Sequence, residues 1–322
     1  MVKYLLFVLG LAMLIKGGDW FVDGSVGVAR RFRISELLIG ATVVSIGTTL
    51  PEVMVSSIAA ASGHSETAYG NAIGSVICNT ALISAITVAV RPGKIGRSSF
   101  AVPVAFFFAA AAFYALVACI GGRFTRLSGV VLLCMFAAYM VYSVLSAKKQ
   151  PAAEAEAASE NAEKEKPLKI QLLLLVVGAA LNAFGARLLV DNGTKIAQEL
   201  GVPESVIALT FVALGTSLPE LVTAITSLAK GHGALSLGNI VGANLFNLVL
   251  VSGLATTIRP FDVPASKLLF GMNASYVLDI PLMFVVMGLL TLPALLKGRM
   301  YRWQGITLLA LYAGYLVVQF AV

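Results

Sequence analysis

The chain has 322 residues, of which 58% are hydrophobic and only 12% are charged, and its mean hydropathy is +0.90. Because roughly a quarter of the residues in soluble domains are charged, this composition excludes a soluble catalytic domain and indicates an integral membrane protein. The net charge of +7 does not require a nucleic-acid partner, since short cytoplasmic loops of membrane proteins are rich in Lys and Arg.

Apolar stretches recur along the chain, and about 20 apolar residues are enough to cross a bilayer as a helix. The first half contains five such stretches, at 4–29, 35–61, 67–90, 100–120 and 127–146. A segment rich in Ala, Glu and Lys follows at 148–166, and this composition is typical of a solvated linker. We predict an all-α integral membrane protein of ten transmembrane helices, with domains 1–146 and 169–322 joined by a cytoplasmic linker at 147–168.

The second half repeats the first at a distance of 168 residues. Gly-Thr-Thr-Leu-Pro-Glu at 47–52 recurs as Gly-Thr-Ser-Leu-Pro-Glu at 215–220. The same shift aligns Asp23 with Asp191, His64 with His232, Gly70 and Asn71 with Gly238 and Asn239, Gly74 with Gly242, and Asn79 with Asn247. Five spans is an odd number, so the second half enters the membrane with inverted topology. This plan is typical of secondary transporters, whose substrate site lies between discontinuous helices, here helices 2, 3, 7 and 8.

Each motif places a carboxylate directly after a proline. Pro51 has no amide hydrogen and its ring crowds the Gly47 carbonyl group, so we expect helix 2 to be interrupted there, with free backbone oxygens beside Thr48. Residues three or four apart share a helix face, which places Ser45, Thr48 and Glu52 on one stripe.

The remaining polar residues of the two repeats extend this pattern. They are Asn71, Ser75 and Asn79 on helix 3, Thr216, Ser217 and Glu220 in the second motif, and Asn239 and Asn247 on helix 8. Calcium prefers six to eight oxygen ligands, and carboxylates at membrane depth are usually functional. The pattern predicts a cation site for calcium, sodium or protons. A buried glutamate pair that serves only structure is the alternative interpretation.

Other residues receive structural interpretations. The glycines at 70, 74, 238 and 242 are spaced for close helix packing. His64 and His232 are interpreted as solvated loop residues, and Asp23 and Asp191 as structural, with Arg187 one turn from Asp191. Cys78, Cys119 and Cys134 are interpreted as buried thiols without a disulfide or a metal.

At these motifs, together with Gly-Asn-Ala-Ile-Gly and Gly-Asn-Ile-Val-Gly, the sequence resembles the prokaryotic sodium/calcium exchangers of the cation/calcium exchanger superfamily. The resemblance covers both repeats and implies ten helices in two inverted halves that exchange sodium for calcium. It implies that Glu52, Glu220, Thr48 and Thr216 hold calcium. One sodium site would use Ser45, Thr48, Glu52 and Ser75, the other Ala213, Thr216 and Glu220, and Asn79 and Asn247 would face the centre.

Three positions depart from the family pattern. Ala243 stands where relatives often have serine, so one sodium site loses an oxygen. Asn247 stands where some relatives have aspartate, so the site carries less negative charge. Val76 replaces an asparagine. A proton/calcium antiporter is an alternative, because a crowded carboxylate pair should bind protons readily. The sequence also does not exclude a potassium-dependent sodium/calcium exchanger, and a passive channel would share the carboxylates without coupling.

The loop charges predict the orientation. Most loop Lys and Arg residues fall on one side if both termini are outside, which places the linker in the cytoplasm of a protein of the cell's inner (plasma) membrane. With two loop histidines, the chain lacks the residues of an intramembrane hydrolase, so we expect no enzyme activity. We also expect no prosthetic group, no nucleic-acid partner and no obligatory protein partner.

Overall fold

The computed structural model describes residues 1–147, 166–201, 214–265 and 268–321. The predicted linker therefore lies almost entirely outside the described residues, as does Ala213.

Helices dominate the described chain. In order they are α1 (Val2–Arg31), α2 (Glu36–Ala61), α3 (Ser65–Val90), α4 (Arg97–Gly121), α5 (Arg126–Ala147), α6 (Leu168–Glu199), α7 (Leu218–Ala229), α8 (Gly233–Ile258), α9 (Ser275–Lys297) and α10 (Arg302–Ala321). Within the described ranges, all of these except α7 and α10 are long and apolar enough to cross a membrane, which makes eight candidate spans. Strand β1 (Arg123–Phe124) pairs antiparallel with β2 (Phe261–Asp262), and β3 (Leu268–Leu269) with β4 (Met272–Asn273). An all-helical membrane fold is confirmed, apart from these short strand pairs.

Several long helices contain a wide π-helical turn. These turns lie at Gly40–Val44 in α2, Asn79–Ser84 in α3, Val117–Gly121 in α4, Asn247–Val251 in α8 and Ser275–Asp279 at the start of α9. The turns of α3 and α8 begin at Asn79 and Asn247, which are equivalent in the repeat. π-Helical turns are frequent at functional sites, so the duplication is visible in backbone geometry as well as in sequence.

The expected interruption of helix 2 at Pro51 is wrong. Residues Ser45–Ala61 form one helical segment with Pro51 inside it, and the departure from α geometry comes earlier, at Gly40–Val44. A proline removes one hydrogen bond from a helix, and in apolar surroundings neighbouring hydroxyls and helices satisfy the freed groups, so the helix continues.

The chain divides into two compact units. Unit 1 comprises Met1–Leu50 and Tyr142–Asn239, and unit 2 comprises Pro51–Val141 and Ile240–Val322. Each unit therefore takes segments from both halves of the sequence. The assignment of each repeat as a domain stays a prediction.

In unit 1, α1 and α6 pack closely through glycines. A Cβ atom on Gly10 would lie 2.9 Å from the Gly185 carbonyl oxygen, and one on Gly17 would lie 2.9 Å from the Gly178 carbonyl oxygen. As residue numbers rise along α1 they fall along α6, so these helices run antiparallel. The 168-residue shift converts Gly10 into Gly178 and Gly17 into Gly185, so each contact is the repeat image of the other.

Unit 1 also joins the start of α2 to the start of α8. A Cβ atom on Gly40 would lie 2.5 Å from the Leu235 carbonyl oxygen, and Gly238 lies directly against the Leu37 carbonyl group. Apolar residues of α1, α2 and α8 form a core cluster around this contact, consisting of Phe21, Val22, Val26, Val28, Ala29, Ile39, Val44 and Leu235. Two glycines thus allow the α2 and α8 backbones to approach without side chains between them.

In unit 2, α10 packs against α3 and α9. A Cβ atom on Gly305 would lie 2.5 Å from the Ala85 carbonyl oxygen. The buried Gln304 donates through Nε2 to the carbonyl oxygens of Leu289, at 2.8 Å, and Leu290, at 3.0 Å. Pro293 has no amide hydrogen to offer the Leu289 carbonyl, so the Gln304 side chain replaces the missing helical hydrogen bond.

The cysteine prediction is only partly right. Within the described residues no cysteine forms a disulfide, and Cys78 is buried, but Cys119 of α4 and Cys134 of α5 are exposed. A membrane helix is apolar on its lipid-facing side as well as on its packed side, so an apolar segment does not show which side a cysteine occupies.

Candidate cation site

The second motif lies at a helix start. Gly215–Ser217 form a turn, α7 begins at Leu218, and Pro219 and Glu220 fall in its first turn. Proline is well accommodated there because the first amide groups have no helical partner, and the helix dipole stabilises a carboxylate at this end. Glu220 is 0% exposed, so the chain holds a carboxyl group inside the protein at a helix N-terminus.

Threonine side chains of α2 surround this carboxyl group within unit 1. The side chains of Thr48 and Thr49 lie close enough to the Glu220 carboxyl to interact with it, and both threonines are buried. Among the described residues, neither Glu220 carboxylate oxygen accepts a well-aligned hydrogen bond. A buried carboxylate without such donors is poorly satisfied by the protein alone.

Asn239 of α8 contacts two polar residues of α2. The Thr48 hydroxyl donates to Asn239 Oδ1 at 3.1 Å, and the Ser45 hydroxyl lies 2.9 Å from the Asn239 carbonyl oxygen and 2.7 Å from the Gly40 carbonyl oxygen. All three side chains are buried. Ser45, Thr48 and Glu220 of the predicted site, together with Asn239, thus belong to one polar region of unit 1.

Asn239 belongs to the polar pattern of the sequence but was not assigned as a ligand. Like Asn71, it follows the first glycine of the small-residue motif. Asn71 Nδ2 lies 2.8 Å from Ser56 Oγ and 3.3 Å from the Glu52 carbonyl oxygen. The sequence pattern marks both asparagines but does not indicate the contact of Asn239 with Thr48.

In unit 2, Glu52 is also 0% exposed. The helical segment that follows Pro51 carries it, and Asn71 of α3 holds its main-chain carbonyl group. Ser75 lies one turn after Asn71 on α3 and is buried. The first-motif carboxylate is therefore inside a helix, whereas the second-motif carboxylate is in the first turn of one.

Asn79 and Asn247 are fully buried residues of unit 2. Within the described ranges, the side-chain oxygen and nitrogen of both residues have no hydrogen-bond partner. Asn244, three residues before Asn247, donates to Thr80 Oγ1 at 2.7 Å and so ties α8 to α3. Buried amide groups normally have partners, so Asn79 and Asn247 are candidates to bind a ligand or water.

Two of the remaining predicted ligands lie in the turn that precedes α7, where Ser217 is buried and Thr216 is half-buried. Ala213 lies outside the described residues.

The packing prediction for the small-residue motifs holds for Gly238, which packs against the Leu37 backbone. No described atom lies within 4 Å of a Cβ atom on Gly70 or Gly74, so the described residues do not support the prediction there. The repeat equivalent of Leu37, at position 205, lies outside the described residues, and the packing of Gly242 stays a prediction.

The histidine and aspartate predictions have mixed outcomes. His64 is exposed as predicted, but His232 Nδ1 lies 2.7 Å from Glu36 Oε1 and is largely buried, so its interpretation as a solvated residue is wrong. Asp23 pairs with Lys230 at 2.6 Å, and Arg187 Nε lies 3.7 Å from Asp191 Oδ2, which supports the structural interpretation of both aspartates.

Comparison with known proteins agrees with this arrangement. The family model described as sodium/calcium exchanger protein matches residues 2–145 and 170–321. An uncharacterized membrane protein of Methanocaldococcus jannaschii is 36% identical over 310 residues, which cover 95% of this chain and 94% of that protein. The sodium/calcium exchanger MaX1 of Methanosarcina acetivorans is 27% identical and covers 99% of both chains. A structure of the sodium-calcium exchanger NCX_Mj superposes with a TM-score of 0.81 at 30% identity and covers 98% of both chains. The chain therefore belongs to the sodium/calcium exchanger family.

Proposed function

We propose that this protein is a secondary active antiporter that exchanges sodium for calcium across the membrane by alternating access. The observation that carries the proposal is the full burial of two carboxylates, Glu52 and Glu220, at equivalent positions of an internal repeat. Buried carboxylates in membrane segments are costly and usually serve ion or proton pathways. Membership of the sodium/calcium exchanger family supports the same conclusion.

The proposed architecture is ten transmembrane helices in two inverted repeats of five. The antiparallel contact between α1 and α6 supports it, because its two glycine pairs exchange under the repeat shift. Helices that are equivalent in sequence but antiparallel in space are what inverted duplication produces. The loop charges support an orientation with both termini outside and the linker in the cytoplasm of an inner-membrane protein.

In this proposal, Glu52 and Glu220 hold calcium together with oxygens of Thr48 and Thr216. Sodium uses Ser45, Thr48, Glu52 and Ser75 on one side, and Ala213, Thr216, Glu220 and the position of Ala243 on the other, and Ser217 is a further residue of the cation site. Asn79 and Asn247 complete the centre. Carboxylate, hydroxyl and amide oxygens suit hard cations such as calcium, and two carboxylates balance one divalent ion. The buried, poorly satisfied Glu220 oxygens and the Asn79 and Asn247 amides support this assignment.

Obligatory exchange follows from charge repulsion. Two bare carboxylates about 5 Å apart repel by about 3 kcal/mol at an effective dielectric constant of about 20. To switch sides without an ion, the protein would have to pass through an occluded state in which both carboxylates are desolvated and repel each other. The free energy of that state would therefore be high. Calcium or sodium removes the repulsion, so only loaded forms cross readily.

The test is calcium uptake into liposomes that contain the purified protein, with sodium, potassium and proton gradients imposed separately. We expect an outward-directed sodium gradient to drive uptake without potassium and without a pH gradient. Uptake that follows only the proton gradient, or that requires potassium, contradicts the proposed coupling. Uptake that is insensitive to every counter-ion gradient would indicate a channel.

A further inference from the structure

Asn239 connects α8 to α2 through both its main chain and its side chain. Its carbonyl oxygen lies 2.9 Å from the Ser45 hydroxyl oxygen, and its Oδ1 accepts a hydrogen bond from the Thr48 hydroxyl at 3.1 Å. Both hydroxyls belong to residues proposed to bind cations. Asn239 is not one of the proposed ligands, yet it contacts two of them.

The backbone packing around Asn239 fixes its position. Cβ atoms on Gly40 and Gly238 would collide with the facing helix. The main-chain nitrogen of Asn239 lies 3.0 Å from the position of a Gly40 Cβ atom. With the two backbones in contact, Asn239 has little freedom to move relative to Ser45 and Thr48.

The direction of the Thr48 hydrogen bond determines what the hydroxyl presents to a cation. A threonine hydroxyl has one proton and two lone pairs. When Asn239 Oδ1 accepts the proton, the lone pairs of Thr48 Oγ1 are left for a positive charge. Without that acceptor, the same proton would turn either to the Ser45 carbonyl oxygen, 3.5 Å away, or towards the nearby Glu220 carboxylate, where it would occupy an oxygen that a cation needs.

The buried side chain of Asn239 lowers the stability of the fold, which indicates that the residue has another role. Its Nδ2 is fully buried and has no hydrogen-bond partner among the described residues. Burial of an unused donor is unfavourable, so an apolar side chain of similar volume would suit packing better. The amide oxygen supplies the nearer acceptor for the Thr48 hydroxyl, at 3.1 Å against 3.5 Å for the Ser45 carbonyl oxygen.

We propose that Asn239 is a positioning residue whose side chain orients the Thr48 hydroxyl as a cation acceptor. The proposal rests on the proposed function of the Thr48 and Glu220 region, and it makes Asn239 a determinant of cation affinity that acts through Thr48.

The experiment is a double-mutant cycle with Asn239→Ala, Thr48→Val and the combined variant. Calcium binding is measured with radioactive calcium on detergent-purified protein, and the unfolding temperature is measured in parallel. We expect Asn239→Ala to weaken calcium binding by about tenfold, the effect of losing one net hydrogen bond, and Thr48→Val to weaken it at least as much because it removes the hydroxyl itself. The combined variant should bind no more weakly than Thr48→Val alone, because Asn239 acts only through the Thr48 hydroxyl.

Asn192→Ala is the matched control. Asn192 is a buried asparagine of unit 1 whose side chain donates to the Leu188 carbonyl oxygen of its own helix, α6. It should leave calcium affinity unchanged. If Asn239→Ala lowers only the unfolding temperature, or if the two effects on affinity add, Asn239 is a packing residue and the proposal is wrong.

A second variant covers the case in which Asn239→Ala does not fold. Asn239→Asp keeps an acceptor oxygen, so adding Thr48→Val to this variant should weaken calcium binding further. If adding Thr48→Val causes no further loss of binding, the proposal is contradicted. Binding in detergent does not require transport, so these outcomes are separate from those of the liposome test. Wild-type protein that binds calcium but shows no sodium-driven uptake would overturn the exchanger function and leave the role of Asn239 testable.

Discussion

Gly17 of α1 lies so close to Gly178 of α6 that a Cβ atom on Gly17 would stand 2.9 Å from the Gly178 carbonyl oxygen. The repeat image of this contact joins Gly10 to Gly185 at the same distance. Unit 1 is therefore assembled around two helices that touch backbone to backbone and that descend from one duplicated ancestor helix.

Substitution of Gly17 by alanine should separate these helices. An added methyl group at a contact this tight forces the backbones apart, and overpacking of this kind typically costs 1–3 kcal/mol. We expect Gly17→Ala to lower the unfolding temperature of the detergent-purified protein by several degrees. Gly314→Ala in α10 is the control, because no described atom lies within 4 Å of a Cβ atom there. Equal stability of the two variants would show that the contact tolerates a side chain.

Removal of either buried carboxylate should abolish coupled transport. Glu52→Gln and Glu220→Gln keep the side-chain shape but remove the charge that binds cations, so we expect sodium-driven calcium uptake to fall to background. Size-exclusion chromatography would show whether each variant remains folded. Glu66→Gln, at an exposed position in the first turn of α3, is the matched control and should retain uptake. Near-normal uptake in both buried variants would remove these residues from the proposed site.

Gln304 should stabilise the part of α9 that precedes Pro293. In Gln304→Leu the carbonyl groups of Leu289 and Leu290 lose their donor inside the protein, and an unsatisfied buried acceptor costs about 1–3 kcal/mol. We expect a lower unfolding temperature with unchanged calcium affinity, because Gln304 is not one of the proposed ligands. The same substitution at the exposed Gln198 of α6 should have no effect on stability. An unchanged Gln304→Leu protein would mean that water or another group satisfies these carbonyls.

Lys230 should tie the end of α7 to α1 electrostatically. Its ammonium group pairs with Asp19 and Asp23, but all three side chains are partly exposed, so Lys230→Gln should cost at most about 1 kcal/mol. The difference in unfolding temperature from the wild type should shrink as salt rises from low ionic strength to 1 M, because salt screens exposed charges. Lys195→Gln, at an exposed position of α6, provides the comparison. A salt-independent loss would indicate packing by the lysine stem rather than charge.

The sequence by itself determined the class of the protein, its helices and its duplication. Hydrophobic runs of spanning length specify membrane helices without reference to any tertiary contact. The recurrence of Pro51 and Glu52 as Pro219 and Glu220 likewise identified both buried carboxylates. These features are local or periodic, so they can be recognised in the sequence without knowledge of contacts between distant segments.

Only the tertiary structure decided how each copy of the motif folds. In the first copy of the motif, the residues around Pro51 continue a helix. In the second copy, the nearly identical residues Gly215–Ser217 form a turn, and Pro219 lies at the start of the next helix. Proline is acceptable in a first turn and unfavourable inside a helix, so the surroundings of each copy, not its sequence, select between the two. Gly238 likewise packs against the Leu37 backbone, while no described atom lies within 4 Å of a Cβ atom on Gly70. Repeats with the same local preferences diverge wherever their neighbours differ, because packing free energy comes from contacts between segments distant in sequence.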